Sequence, residues 1–250
     1  MRVIKKSILA LTLGLTLSAC AGLGGTSWQE EALLHDGSKI IVSRTVDRGG
    51  RHEIGQEPPI KEQSLRFKLP GTNENVVWED KFSEDVGSAN FLPKLLDIHK
   101  ETAYLMAHPM GCLSYNKWGR PNPPYVIFKY ERKSWTRIAL QDLPLEIKTP
   151  NLIPSSPDDE AKKAGPGIVS AVAIKKMYAD YKQPEYKTIL REAVPDAGGR
   201  CGEMVYDGNG GWIGVGWFKK QPTLEACFKY CEREKMAAQF CPCNTIFKGK

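Results

Sequence analysis

The sequence predicts an α+β protein: an antiparallel β-rich domain, built as an open sheet or a sandwich, with a helical segment and a small cysteine-stapled appendage of one hairpin and one helix. Three observations predict this. Residues 28–140 contain runs of β-branched and aromatic residues separated by turn signals, and residues 156–184 contain helix start and stop signals. Residues 201–250 hold five of the 7 cysteines. We therefore divide the folded chain into a main domain, 28–192, and a C-terminal appendage, 193–250.

The β-rich part is expected to be a meander of sequential hairpins. Alternating apolar residues lead into the turn sequence PGTN at 70–73, and a second apolar run follows it, which is a hairpin signal. Short turns between neighbours favour antiparallel pairing over βαβ units, because parallel strands need long crossovers. The expected strands are 39–46, 65–69, 76–78, 104–107, 125–130 and 135–140.

The helical segment follows a proline- and serine-rich connector. Ser156 is a candidate N-cap, Pro157 suits the first helical position, and acidic residues follow it. A second helix is expected over 168–182, with Pro184 closing it. Residues 186–191 are expected to return to the sheet as a strand.

The appendage is expected to begin with a hairpin over 205–218 around the glycine-rich turn 207–211. A helix is expected over 222–238. It carries Cys227 and Cys231, which lie four residues apart and therefore on one helical face.

The first twenty residues have a different character. Three basic residues precede an uncharged run at 8–17, and the segment closes with the tetrapeptide LSAC at 17–20. This layout is typical of a secretory signal peptide. As a helix the run reaches about 15 Å, roughly half of the hydrocarbon core of a bilayer, which disfavours a transmembrane anchor. Leu17, at the third position before Cys20, disfavours an ordinary small-x-small cleavage site.

The tetrapeptide resembles the lipobox of bacterial lipoproteins, and this resemblance covers residues 1–20 only. It implies that residues 1–19 are a signal peptide cut off by signal peptidase II. It also implies that Cys20 receives a diacylglyceryl group and that the new amine is acylated, for example with palmitate. Residues 20–27 would then be the lipidated cysteine and a flexible tether. In this family an Asp after the cysteine favours inner-membrane retention, so Ala21 implies a lipid-anchored protein of the outer membrane of the cell envelope.

For a lipid-anchored envelope protein we expect a non-catalytic binding or structural role. The alternative is an envelope hydrolase with a site assembled from distant loop residues. The expected partners are the membrane, through the lipid, and an envelope protein or glycan. Removal of residues 1–19 takes away three of the 35 basic side chains and leaves 32 against 29 acidic ones, a charge of +3. This net charge is small and the sequence contains no long basic run, so nucleic acid is not an expected partner.

No catalytic residue, metal or cofactor is predicted from the motifs. His52 and Glu53 begin like a zinc-protease helix, but Gln56 stands where the second histidine is needed, and the flanking glycines and prolines favour a loop. The glycines after Asp207 suit a hairpin turn better than a dinucleotide or calcium loop.

The loop 112–125 is the candidate ligand-contact segment. Tyr115, Trp118 and Arg120 offer aromatic area and directed hydrogen bonds. The loop is nevertheless more typical of a rigid proline-rich connection whose aromatic residues cover the sheet edge, and this interpretation is favoured.

An even number of cysteines in an exported protein favours disulfides. If the last helix ends near residue 238 and the chain doubles back extended, Cys231 lies opposite Cys241 and Cys227 lies opposite Cys243. A helix rises about 1.5 Å per residue and a strand about 3.3 Å per residue. Cys231 and Cys241 therefore each lie about 10 Å from the bend, and Cys227 and Cys243 each lie about 16 Å from it. Cys112 is then left for Cys201. Fifteen pairings of these six cysteines remain open, and a four-thiolate zinc site is the rival interpretation.

Residues 223–227 together with Cys231 are similar to the helix of PAN/apple binding modules. The rest of the cysteine spacing of those modules is missing here. The resemblance therefore assigns no residue a role.

Overall fold

The computed structural model describes residues 25–50, 52–195, 197–199 and 201–248. The expected signal peptide, 1–19, and the expected lipid-attachment residue Cys20 lie outside these residues. The fold is α+β as predicted, with antiparallel sheets and a disulfide-stapled C-terminal helix. Among the described residues, no helix combines the length and the apolar character that crossing a membrane requires.

The strands are β1 Thr26–Leu33, β2 Lys39–Arg48, β3 Ile60–Lys68, β4 Asn75–Asp80, β5 Phe91–His99, β6 Thr102–Pro109, β7 Val126–Glu131, β8 Ser134–Ile138, β9 Ile168–Val169, β10 Met204–Tyr206 and β11 Trp212–Gly214. The helices are α1 Gly111–Lys117, α2 Pro157–Ala164, α3 Ala171–Ala179, α4 Val215–Lys219, α5 Leu224–Arg233 and α6 Cys243–Ile246. Short 3₁₀ turns occupy Leu140–Asp142, Pro184–Tyr186 and Ala238–Phe240.

The main domain contains two sheets. The first has the order β4-β3-β2-β1-β9 and the second is the meander β5-β6-β7-β8. All neighbours are antiparallel except β9, which pairs parallel with β1. Buried residues of both sheets belong to one hydrophobic cluster, so the two sheets pack face to face as a sandwich.

The second sheet is covered on both faces, because side chains of β6 pack into two clusters on opposite sides of it. Leu105 belongs to the cluster between the sheets, whereas Tyr104 and Met106 belong to a cluster on the opposite face. That opposite face is covered by the segment that contains Leu143 and Ile147. The alternation follows from the two-residue period of a strand.

Several element boundaries differ from the sequence expectations. Residues 168–182 were expected to be one helix, but the structure has the short strand β9 first and then α3. The helix begins only after Ser170 because the Ser170 hydroxyl caps it, accepting a hydrogen bond from the Ala173 N–H at 3.2 Å. The strand expected at 186–191 is wrong: Tyr186 ends a 3₁₀ turn and no strand follows it there. The tether expected to run to Ser27 ends earlier, because β1 begins at Thr26.

The C-terminal elements are also shorter than expected. The second hairpin strand stops at Gly214, where α4 begins. The expected helix 222–238 runs only over α5, because Thr223 caps its start and the chain leaves the helix before Lys235, which has φ +54°. Strands β1 and β5 had no sequence prediction of their own.

Candidate functional site

The C-terminal residues 201–248, here called the tail, are fastened to the main domain at α1. Cys112 on α1 forms a disulfide with Cys201, with 5.1 Å between the two Cα atoms. The Asn116 side-chain oxygen accepts a hydrogen bond from the Met204 N–H at 2.9 Å. These contacts fix the first strand of the tail against the helix.

The three candidate ligand-contact residues lie at this junction. Tyr115 is buried on α1, and Gly198 approaches its ring so closely that a Cβ there would lie 2.6 Å from Cε1. Arg120 covers the Tyr115 ring at 5.0 Å and donates to the carbonyl oxygens of Cys201 and Gly202, each at 3.0 Å. These contacts occupy the side chains of both residues.

Trp118 faces the interior as well. Its ring packs on Phe91 with 4.6 Å between centroids, and its Nε1–H donates to the Asn90 side-chain oxygen at 3.1 Å. Trp118 thus packs inside the sandwich, whereas Arg120 attaches the tail.

A groove of about 1030 Å³ lies between the tail and the main domain. Its aromatic part consists of Tyr206, Trp212 and Phe240. Tyr206 and Trp212 are opposite each other in the β10–β11 hairpin, with 5.6 Å between ring centroids. Phe240 meets the Tyr206 ring edge-on at 5.2 Å and remains 39% exposed.

Gly208 permits this arrangement of the aromatic side chains. It has φ +88°, and a Cβ at this position would lie 2.6 Å from the Cβ of Ala237 and 2.9 Å from a ring carbon of Phe240. A larger residue would therefore push the segment with Phe240 off the hairpin.

Two ion pairs supply the charged part of the groove lining. Lys117 Nζ lies 2.8 Å from Asp85, and Lys219 Nζ lies 2.9 Å from Glu203. Burial acts to raise the pKa of Asp85, but hydrogen bonds from Lys117 and Ser83 outweigh it and leave that pKa lowered. Two acids and two bases line the groove, so its lining carries no net formal charge.

One of the two disulfides of the tail reaches the groove, through Cys241. The tail contains Cys227–Cys243 and Cys231–Cys241, with Cα atoms 5.8 and 5.9 Å apart. These pairs, and Cys112–Cys201, are the pairs that the register argument favours. Cys241 lines the groove and is half-buried, whereas the other three tail sulfurs are buried.

The two tail disulfides contact each other. Cys243 Sγ lies 3.6 Å from Cys231 Sγ and 3.5 Å from Cys241 Sγ. In the part of the chain that the structure describes, Cys231, Cys241 and Cys243 are the group of side chains whose ligand atoms are close enough together to hold a metal ion.

A second cleft, of about 450 Å³, lies between the β1–β2 turn, β5 and α3. His35 Nδ1 lies 2.7 Å from Asp97 Oδ1, and the His35 backbone N–H donates to Asp97 Oδ2 at 3.0 Å. Burial raises the pKa of Asp97, although its hydrogen bond and charge interaction with His35 oppose this. The described lining of this cleft contains Thr149 but no serine or cysteine that could act as a nucleophile.

Two strongly shifted basic groups lie outside these clefts. Burial and the nearby Arg44 charge lower the pKa of Lys94 to about 7. Burial and the nearby Lys94 charge lower the pKa of His108 to about 3. His108 Nε2 is buried and has no hydrogen-bond partner among the described residues.

No family model matches the chain, and no curated protein or solved structure matches it.

Sequence reasoning missed the groove because its lining comes from four separated segments, near residues 85, 117, 203–219 and 239–246. One local signal was available. Tyr206 and Trp212 flank a glycine-rich turn, and aromatic residues opposite each other in a hairpin pack as a pair. That pattern could have identified the aromatic part of the groove.

Proposed function

We propose that this protein is a lipid-anchored, non-catalytic binding protein of the bacterial cell envelope, carried on the outer membrane by Cys20. The lipobox-like tetrapeptide at 17–20 and Ala21 after it support the anchor and the address. Only a few residues separate Cys20 from β1, so a lipid on Cys20 would hold the sandwich close to the membrane surface.

Metabolic labelling with a radioactive fatty acid tests the anchor. Wild type and Cys112→Ser should both carry the label, and Cys20→Ser should carry none and accumulate as an uncleaved precursor. Equal label on wild type and Cys20→Ser would overturn the anchor. Recovery of the mature protein only in the inner-membrane fraction would overturn the outer-membrane address.

The groove between tail and main domain is the proposed binding site, and its ligand is an envelope glycan. The lining of the groove supports a glycan ligand, because aromatic rings lie beside two ion pairs whose charges cancel, Lys117–Asp85 and Lys219–Glu203. Sugar rings pack their C–H faces on aromatic rings, and their hydroxyls pair with both donors and acceptors. A lining without net charge suits a hydroxyl-rich ligand better than a strongly charged one.

Co-sedimentation with purified peptidoglycan sacculi tests the glycan. Phe240 and Phe228 form a matched pair, because both lie in the tail and are 39% and 36% exposed, but only Phe240 lines the groove. Wild type and Phe228→Ala should pellet with the sacculi, and Phe240→Ala should pellet several-fold less, since one aromatic contact contributes about 1 kcal/mol. Absence of wild-type pelleting, or equal loss in both variants, would overturn the glycan as ligand.

A hydrolase is the second candidate, and the pairing of His35 with Asp97 favours it. An imidazole oriented by a buried carboxylate can act as a general base toward water. If so, His35→Asn should lower hydrolysis of p-nitrophenyl acetate by the full-length protein by about 100-fold or more, and His52→Asn, in an exposed loop, should not. Equal rates in the two variants, or no rate above the blank, would exclude this role for the cleft.

A further inference from the structure

The sulfur atoms of Cys231, Cys241 and Cys243 lie within 4.8 Å of one another, and Cys227 is bonded to Cys243. We propose that these four tail cysteines, once reduced, are a zinc site. Once both tail disulfides are reduced, Cys227, Cys231, Cys241 and Cys243 bind one Zn²⁺ as thiolates. The metal then holds the tail together in place of the disulfides. This inference does not depend on the ligand of the groove.

The distances between the sulfurs suit tetrahedral coordination. A Zn–S bond of about 2.3 Å gives a tetrahedron whose sulfur atoms are about 3.8 Å apart. Cys243 Sγ already lies 3.6 Å from Cys231 Sγ and 3.5 Å from Cys241 Sγ, across two different disulfides. The sulfurs of Cys231, Cys241 and Cys243 all lie within 4.8 Å of one another.

The connectivity suits the same metal. Two ligands come from one face of α5, at positions 227 and 231, and two come from the returning segment, at 241 and 243. Each disulfide already joins these two elements, with Cα atoms 5.8 and 5.9 Å apart. A metal bound to all four sulfurs would therefore crosslink the same two elements with little movement of the backbone.

The surroundings favour a structural thiolate site over a hydrated one. Phe218, Tyr230 and Met236 are buried against the cysteines and limit the access of water. Thiolates are soft ligands and select Zn²⁺ over the hard cations Ca²⁺ and Mg²⁺. The half-buried Cys241 at the groove provides an entry path for the reductant and for the metal.

The chemistry balances with a dithiol reductant. For each disulfide, one dithiol molecule gives two electrons and two protons, breaks the S–S bond and becomes an intramolecular (cyclic) disulfide itself. Reduction of both tail disulfides therefore uses two dithiol molecules and yields four thiols. Coordination of Zn²⁺ by four thiolates releases four protons to solvent.

Cobalt titration of the full-length protein tests the site. The protein is reduced with dithiothreitol, freed of reductant without oxygen and titrated with Co²⁺. We expect a thiolate-to-cobalt charge-transfer band and the ligand-field bands of tetrahedral Co²⁺, both saturating at one equivalent and both abolished by Zn²⁺. Cys112→Ser with Cys201→Ser should keep these bands, because that disulfide lies outside the cluster, whereas Cys231→Ser should weaken binding by about tenfold or more.

A second measurement covers the case in which Cys231→Ser does not fold. Zn²⁺ should protect the four tail thiols of the reduced wild type from a thiol-reactive dye and leave Cys112 and Cys201 reactive. The proposal is overturned if the reduced wild type shows no charge-transfer band with stoichiometric Co²⁺. It is equally overturned if the band disappears with Cys112 and Cys201 and not with the tail cysteines.

Discussion

Trp212 in the tail donates its Nε1–H to the backbone oxygen of Asp85 in the main domain, at 2.6 Å and across 127 residues of sequence. The carboxylate of the same Asp85 pairs with Lys117 at the end of α1. The turn that contains Asp85, the helix that carries Lys117 and the tail hairpin therefore meet at one point. Since all three line the groove, its shape depends on how tightly the tail is attached.

Trp212→Phe should loosen this attachment without removing an aromatic ring. The variant leaves the Asp85 oxygen without the indole donor, so the free energy of unfolding should fall by about 1 kcal/mol. Hydrogen exchange should accelerate in residues 83–88 and 204–214. Trp217→Phe is the matched control, because Trp217 is 56% exposed, and an equal effect in the two variants would contradict the docking role of Trp212.

Lys94→Met should change how stability depends on pH. Lys94 is 2% exposed and donates to the Pro154 oxygen, and burial together with the Arg44 charge lowers its pKa to about 7. The unfolded chain, with an ordinary lysine pKa of about 10.4, therefore binds more protons than the folded protein between about pH 7 and about pH 10. Wild-type stability should rise with pH across that window, by up to about 1.4 kcal/mol per pH unit.

Denaturant unfolding of wild type and Lys94→Met at pH 6, 8 and 10 measures this dependence. The variant should lack the rise, so its stability relative to wild type should be highest at pH 6. Lys61→Met, on the exposed face of β3, is the matched control. Parallel profiles for wild type and Lys94→Met would contradict the prediction.

Asp158→Asn should be destabilising at neutral pH and harmless in acid. Arg48 binds the Asp158 carboxylate through two hydrogen bonds of 2.6 and 2.7 Å, which join β2 to α2. Burial acts to raise the pKa of Asp158, but the hydrogen bonds and charge of Arg48 outweigh it and lower that pKa. A lowered carboxyl pKa gives stability that is present above the unfolded value of about 4 and lost as pH falls through the folded value.

The loss should be about 1–3 kcal/mol at pH 7, as expected for a hydrogen bond to a charged group. It should begin to shrink below about pH 4, where the unfolded chain takes up a proton, and approach zero once the pH falls below the lowered pKa of the folded carboxyl. Asp159→Asn is the matched control from the same helical turn. A loss that stays constant from pH 7 to pH 3 would show that the charge of Asp158 is not the cause.

Most of the regular architecture was predictable from the sequence because its signals are local. The alternation of apolar and polar residues in β3 and the turn at 70–73 both depend on neighbouring residues. The cysteine register was predictable for a similar reason, since helix and strand rises fix which sulfurs lie opposite each other.

Strands β1 and β5 had no such local signal because they bury charged groups. Glu30 on β1 is fully buried and is satisfied by Trp28 at 2.7 Å and Arg44 at 3.2 Å. On β5, Lys94 and Asp97 are buried with partners from distant segments. A prediction from sequence polarity places charged residues at the surface. Here they are buried because partners in the folded protein, most of them far away in sequence, satisfy them. The groove as a whole was unpredictable because the segments that line it are brought together only by the tertiary structure.

The last prediction concerns the independence of the two parts of the protein. The tail cluster consists of Cys227, Cys231, Cys243 and their neighbours, and it is separate from the clusters of the sandwich. Cys227→Ala with Cys243→Ala removes a crosslink between residues 16 apart in sequence, which the chain-entropy model values at about 3 kcal/mol. The tail should therefore loosen after about Gly202 while the sheets remain folded.

Hydrogen exchange followed by mass spectrometry measures this separation. In Cys227→Ala with Cys243→Ala, exchange should accelerate in residues 204–248 and stay unchanged in β2, β3 and β6. Cys112→Ala with Cys201→Ala is the matched control. It opens a crosslink between residues 89 apart, from α1 to the segment just before β10, and should instead accelerate exchange in α1 and β10. Accelerated exchange in the sheets of the first variant would show that the sandwich depends on the tail. Since the sheets bury their own apolar residues on each other, the tail disulfide should matter to the tail alone.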